Sequence, residues 1–375
     1  MIKIPEKIQF VLDTLDSNGY DSYIVGGCVR DSQLGLEPDD FDVATSATPQ
    51  KVMKIFRRTI PTGIKHGTVT VMIGHTPVEV TTFRTEGSYR DSRHPESVKF
   101  ITDIKYDLSR RDFTVNALAF NPKKGLVDCF GGLADLENKI LRAVGDPEKR
   151  FSEDALRILR LFRFSSQLEF TAQENTLSCA IKLQKGLENI SRERIFTELF
   201  KTLKGKNPSA LAPLILSGGL SFLKIEKAPD FNIISNISNP YIRLISFLEK
   251  TAENPTEVLK ELKSSNKIIK LTQDVLSLKE VPLKTKTDIK YALSSVGLEA
   301  VDGFLELYPC EKSSRLLKEI IDNCEPYSIS QLAVTGTDLR SLGFEGHDIK
   351  LKLLEFLDIV IKDPDKNNKN LLLLG

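Results

Sequence analysis

Two aspartates one residue apart, Asp40 and Asp42, run into Val43-Ala44 and follow a Gly26-Gly27 pair and Arg30 at a short remove. On a strand, positions i and i+2 point the same way, so both carboxylates are expected on one side, with Phe41 toward the core. Two hard oxygen ligands on one rigid edge suit Mg2+. Upstream, Tyr23-Ile24-Val25 reads as a buried strand that the glycine pair breaks before a helix opens at Cys28-Val29-Arg30-Asp31. Gly26 and Gly27 let backbone approach a phosphate closely, a helix start leaves N–H groups unpaired, and Arg30 adds fixed positive charge. Each half has an ordinary explanation, a turn or a solvated acidic edge. Joined in this order, they form what phosphoryl transfer to a hydroxyl requires: a held triphosphate beside ligands for metal ions.

The elements that must carry these residues are legible in outline. The first fifteen residues, MIKIPEKIQFVLDTL, form an amphipathic helix pattern without a signal-peptide core, and no apolar run reaches bilayer length. Segments 69–73 and 78–83 read as two strands of a hairpin turning at Gly74-His75-Thr76-Pro77, with Glu79 on the second. Residues 84–96 are polar, of mixed charge and without periodicity, which reads as a mobile surface loop. Beyond Asp146 the pattern turns helical. A helix over 152–164 sets Ala155, Leu159 and Phe162 on an apolar face and Asp154 and Arg157 on another, where an i,i+3 pair is ordinarily a surface salt bridge.

At 375 residues the chain has room for two or three domains, and 41% hydrophobic with 27% charged residues is ordinary for a soluble protein. A net charge of +1 announces no basic partner-binding excess, but fifteen of eighteen arginines lie at or before Arg194. Guanidinium forks suit bidentate phosphate and base recognition, which places the chemistry in the front half. Cys28, Cys129, Cys179, Cys310 and Cys324 lack metal-ligand spacing and read as buried thiols of a reducing, cytoplasmic compartment. His347-Asp348 gathers no ligand set, since His66, His75 and His94 all lie far upstream. Lysine-rich pieces at 260–270 and 284–290 read as solvated helix faces, with contact to an RNA backbone as the alternative.

The segment GGCVRDSQLGLEPDDFDV resembles the opening motif of the class II tRNA nucleotidyltransferase and bacterial poly(A) polymerase family, within the DNA polymerase beta superfamily. Gln33 departs from the leucine usual there, off the chemistry. Further motifs follow in the family's order. VEVTTFR resembles the strand that supplies a third carboxylate, here Glu79, with a surface glutamate as the alternative. Residues 87–95, with Asp91, Arg93 and Pro95, resemble the loop used to switch from C to A addition. Arg-Arg-Asp at 110–112 with Asn116 resembles a motif that implies Arg111 and Asp112 near the ribose and phosphates, Asn116 bracing them; Asp128 to Gly145 resembles a linker. Glu153-Asp154-x-x-Arg157-x-x-Arg160, extended to Arg163, resembles the nucleotide-base motif, with Glu193 and Arg194 as its braces. Residues 334–344 with the helix after them resemble the tail of CCA-adding members.

The resemblance implies an α/β catalytic head, a polymerase-beta-like palm with a mixed antiparallel sheet, over residues 1–145. Helical neck (146–204), body (205–325) and tail (326–375) domains would follow. It further implies catalytic Asp40, Asp42 and Glu79, Mg2+ on Asp40 and Asp42, and addition of CCA to tRNA from CTP and ATP. An A-adding enzyme and a poly(A) polymerase are the neighbouring activities; the short tail without a long basic extension favours CCA addition. A catalytically silent RNA-binding scaffold is opposed by two carboxylates that repel on one edge.

Overall fold

The computed structural model describes residues 2–86 and 98–374 and divides into two compact units, Met1–Ala228 and Pro229–Gly375. The expected loop at 87–95 lies outside the described residues. Within the first unit, helix α1 (Glu6–Ser17) buries Ile8, Val11, Leu12 and Leu15. Strand β1 (Ser22–Val25) follows, then helix α2 (Gly27–Gln33), β2 (Asp42–Thr45), α3 (Pro49–Ile55), β3 (Thr59–Gly63) and the hairpin of β4 (Thr68–Ile73) and β5 (Thr76–Thr82). A small two-stranded sheet, β6 (Arg84–Glu86) with β7 (Val98–Phe100), precedes α4 (Ile104–Ser109), β8 (Leu118–Asn121), β9 (Gly125–Asp128) and α5 (Gly132–Glu137).

Seven strands make one sheet in the order β3-β4-β5-β2-β1-β8-β9. Only β2 and β5 pair in parallel; the other neighbours are antiparallel. Strand β1 is buried along its whole length, as its run of apolar residues requires, and Tyr23, Val25, Ala44, Phe83, Leu108, Ala117 and Ala119 form a core on the sheet. The β4–β5 turn is tighter than the sequence suggests: Gly74 has φ 63°, and Thr76 and Pro77 already belong to β5, opposite Ile73 and Met72.

Two expectations need correction here. The strand carrying the aspartates begins only at Asp42, because β1 stops at Val25, opposite Asp42, where Gly26 (φ 77°, ψ −127°) turns the chain away. Asp40 and Phe41 therefore precede the ladder, and Phe41 is half-buried, lining a surface cavity of about 550 Å³ with Ile4, Leu36 and Pro38. The expected helix over 152–164 is two helices, α6 (Pro147–Glu153) and α7 (Leu156–Leu168), parted by an extended Asp154 (φ −145°, ψ 103°). The apolar spacing runs through the break. What interrupts it is Asp154, whose Oδ1 accepts the Leu156 N–H at 3.0 Å in the manner of a cap.

Helices α8 (Glu174–Leu183) and α9 (Arg192–Lys204) pack beside α6 and α7. The second unit is helical, with apolar clusters around Ile289 and Val301, around Ile242 and Val275, and around Leu339 and Val360. Asn239-Pro240, Asn254-Pro255 and Thr335-Gly336 open three of its helices with side-chain caps. Five lysines of the 260–270 and 284–290 stretches, Lys260, Lys267, Lys270, Lys286 and Lys290, each pair with a carboxylate. Only Cys28 among the cysteines is buried; Cys129, Cys310 and Cys324 are exposed, against the expectation of buried thiols, because they sit in turns or at helix ends. Among the described residues no helix is long and apolar enough to cross a membrane.

Candidate nucleotide-transfer site

Three chain segments meet at one end of the sheet. The register pairs Val25 with Asp42, so the Gly26-Gly27 turn stands beside the first residue of β2. Val43 pairs in parallel with Val80, and continuing that register by one residue sets Glu79 of β5 alongside Asp42. Val43 and Val80 are buried, whereas Asp42 and Glu79 are exposed, as alternation along both strands demands. Asp40 lies two residues ahead, also exposed. The Asp42 carboxyl is raised above its ordinary value, first by the surrounding protein and further by the charge of Asp40, with Arg111 opposing.

This donor set fits magnesium, which takes one or two carboxylates plus water and substrate phosphate rather than a closed protein cage. Among the described residues no group of three or more His, Cys, Asp or Glu is gathered for metal binding, so Asp40, Asp42 and Glu79 are not drawn together as a three-carboxylate cluster.

Gly26 is dictated by geometry. Its φ of 77° is left-handed, and a Cβ there would stand 2.6 Å from Arg111 Nη1. A Cβ on Gly27, the first residue of α2, would meet nothing nearer than Arg30 Nη2 at 3.7 Å. Replacing Gly26→Ala is therefore expected to displace the Arg111 guanidinium, raise the nucleotide KM about tenfold or more and cost ~1–2 kcal/mol of stability. Steady-state kinetics with thermal melts check this. At Gly27→Ala the protein itself has room, so an effect confined to nucleotide KM would report a bound phosphate at that backbone.

Arginines surround the sheet end, each held in its own way. Arg30 is buried, doubly bonded to Asp31 (2.8 and 2.9 Å), and donates through Nη1 to Asn116 Oδ1 at 2.7 Å. Asn116 Nδ2 in turn donates to Asp112 Oδ1 at 3.1 Å. Asp112 is fully engaged: Oδ1 also accepts the Phe113 N–H, and Oδ2 accepts Arg160 Nε at 2.7 Å and lies 2.6 Å from Arg160 Nη2. Although burial alone would raise its carboxyl, Arg160 and Asn116 hold it far below the usual carboxylate range. No lone pair is left for a ribose hydroxyl, which departs from the expected contact.

Arg111 differs. It reaches Asp107 at 3.6 Å and the Asn116 carbonyl at 3.4 Å, and its Nε is buried without a hydrogen-bond partner among the described residues. Asp107 is buried and also holds Arg110.

Asp154 and Arg157 do not form the ordinary i,i+3 surface bridge, and with Asp154 outside α7 they do not project together from one helix. Asp154 Oδ2 accepts Arg194 Nη2 at 2.7 Å, 40 residues away. Arg157 Nη1 donates to Glu153 (2.8 Å) and to the Arg150 carbonyl (3.0 Å), and Nη2 to the Arg110 carbonyl (3.0 Å). Arg163 is enclosed rather than facing the site; it pairs with Glu198, and burial beside Arg160 pushes its guanidinium down to about 10. Glu198 lies in the segment with Glu193 and Arg194 expected to brace the neck helix, but its pairing with Arg163, 35 residues away, leaves no local signal in the sequence, nor do the contacts of Phe164 with Arg30 and Phe113.

The chain is similar to known proteins along most of its length. The family described as "Poly A polymerase head domain" matches residues 22–142, and the one described as "Probable RNA and SrmB- binding site of polymerase A" matches 169–220. A CCA-adding enzyme of Oceanobacillus iheyensis is 37% identical over 96% of this chain and 94% of its own. The solved Bacillus stearothermophilus CCA-adding enzyme in complex with CTP superposes with a TM-score of 0.82 at 30% identity, covering 97% of this chain and 94% of that one. The Thermotoga maritima CCA-adding enzyme complexed with tRNA shares the fold, with a TM-score of 0.70 at 22% identity.

Proposed function

Since the chain belongs to the family of CCA-adding enzymes, we propose that the sheet-end site adds C, C and A to the 3′ end of tRNA from CTP and ATP. The observation that carries this reading is the strand register that sets the Gly26-Gly27 turn, Asp42 and Glu79 side by side. In the transfer, the terminal ribose oxygen of tRNA forms a bond to the α-phosphorus, the bond from that phosphorus to the bridging oxygen breaks, and pyrophosphate leaves. Asp40 and Asp42, with Glu79 beside them, would hold Mg2+, which when bound neutralises triphosphate charge and favours the ionised attacking hydroxyl.

The chain's own groups do the positioning. Backbone at Gly26 and Gly27 receives phosphate closely, and Arg111, with donors unspent, binds it. Arg30 and Arg160 present guanidinium groups whose orientation is fixed through Asn116 and Asp112, so Asp112 acts through Arg160. Asp154 and Arg157 keep free lone pairs and N–H groups for a base edge, and Arg163 supports them from the interior. Head, neck, body and tail boundaries at about 145, 204 and 325 stay part of this reading, as does a cytoplasmic location beside the tRNA pool.

Transcripts ending at the discriminator base, at C or at CC, each offered one nucleotide with magnesium as the divalent cation, test the order of addition. C should add to the first two and A only to the third. Deleting residues 87–95 should spare C addition and impair A addition, on the strength of the resemblance of that segment to the specificity-switching loop. Equal loss of both would assign it a general structural role.

A further inference from the structure

We propose that Phe164 is a positioning residue for nucleotide addition, its ring fixing the guanidinium groups of Arg30 and Arg160 by cation–π contact; the inference rests on the nucleotide site proposed above. Phe164 lies on α7, 5% exposed. Three cations crowd its ring: Arg30 Cζ at 5.1 Å from the centroid, Arg160 Cζ at 5.3 Å and Arg163 Cζ at 4.2 Å. Phe113 meets it nearly edge-on, at 5.9 Å and 84°. Each guanidinium has its own carboxylate, Asp31, Asp112 or Glu198, which offsets their mutual repulsion; the face of the aromatic ring adds a shared negative surface that fixes where they stand.

The contact also closes a circuit. Arg30 of α2 donates to Asn116, Asn116 donates to Asp112, Asp112 accepts from Arg160, and Arg160 returns through Phe164 to Arg30. Three links of this ring are polar or charged, and the two that close it run through the aromatic face of Phe164. The aromatic link joins the helix that begins at the glycine pair to the helix that follows Asp154 and carries Arg157, so phosphate-side and base-side groups are set relative to each other. A leucine would fill the volume without attracting either guanidinium. Phe162, two residues earlier and equally buried, carries none of these cations and serves as the packing control.

The test replaces Phe164 by phenylalanines bearing one, two, three and five ring fluorines, which drain the face of negative charge while keeping the shape. KM for both CTP and ATP should climb stepwise, roughly tenfold across the series, with kcat within about twofold. The same series at Phe162 should be flat. A flat Phe164 series, or equal losses at Phe162 and Phe164 that follow the melting temperature, would overturn the proposal in favour of simple packing. Asp42→Ala assayed alongside separates the claims: an inactive variant with a flat series overturns the role of Phe164 alone, whereas an active one overturns the site, and this inference with it.

Discussion

Asp42→Ala is expected to lower nucleotide addition by at least about a thousandfold, the several kcal/mol that metal-assisted charge stabilisation supplies, while leaving the fold intact. Asp42 is the first residue of β2 and is exposed; the ladder beyond it, Val43 to Thr45, carries the burial. Its carboxyl is raised by surrounding protein and by Asp40, so the folded state holds the proton more tightly than the unfolded chain does. The sign follows. Above the folded-state value the ionised group opposes folding, and that opposition fades as pH falls through it. The alanine variant should thus melt no lower than the parent at neutral pH, and any advantage should shrink on acidification. Thermal melts across that range, beside turnover with magnesium, check both halves. Near-parental turnover would move the chemistry off this strand end.

The exchange Asp154→Arg with Arg157→Asp is expected to reverse base choice. Cytosine and adenine both offer an exocyclic amino donor with a neighbouring ring acceptor, and one carboxylate with one guanidinium answers both. Uracil and guanine present a carbonyl where that amino group stands, and each unsatisfied buried group costs about 1–3 kcal/mol. For this the two residues would act from different places, Asp154 in the α6–α7 break and Arg157 in the first turn of α7, rather than from one helical face. Each has its own anchor, Arg194 for Asp154 and Glu153 for Arg157. The exchange therefore sets arginine against Arg194 and carboxylate against Glu153, so total activity and stability should fall. The informative quantity is the incorporation ratio of UTP and GTP to CTP and ATP, which should rise by about a hundredfold or more. An unchanged ratio would leave both residues as brackets between helices and place base choice elsewhere.

What the sequence discloses here is what is local. A glycine pair after an apolar triplet and a hairpin at Gly74 are set by backbone freedom and period-two burial, both visible in a few residues; of the two aspartates only Asp42 stands on the strand. Hidden are the partners: Asn116 lies 86 residues from Arg30, Asp112 lies 48 from Arg160, and Glu198 lies 35 from Arg163. The break at Asp154 left one readable trace, an aspartate two residues before a leucine-rich helix, which is also how Asp146 caps Pro147–Glu153. Apolar periodicity continuous across 152–164 outweighed it.

The central claim is tested most directly by the 3′ ends the protein makes. A tRNA transcript lacking its terminal CCA, incubated with all four nucleotides and magnesium and then sequenced at its 3′ end, should gain C, C and A in that order and stop. A homopolymer of A, A alone on the discriminator base, or no extension at all would contradict it.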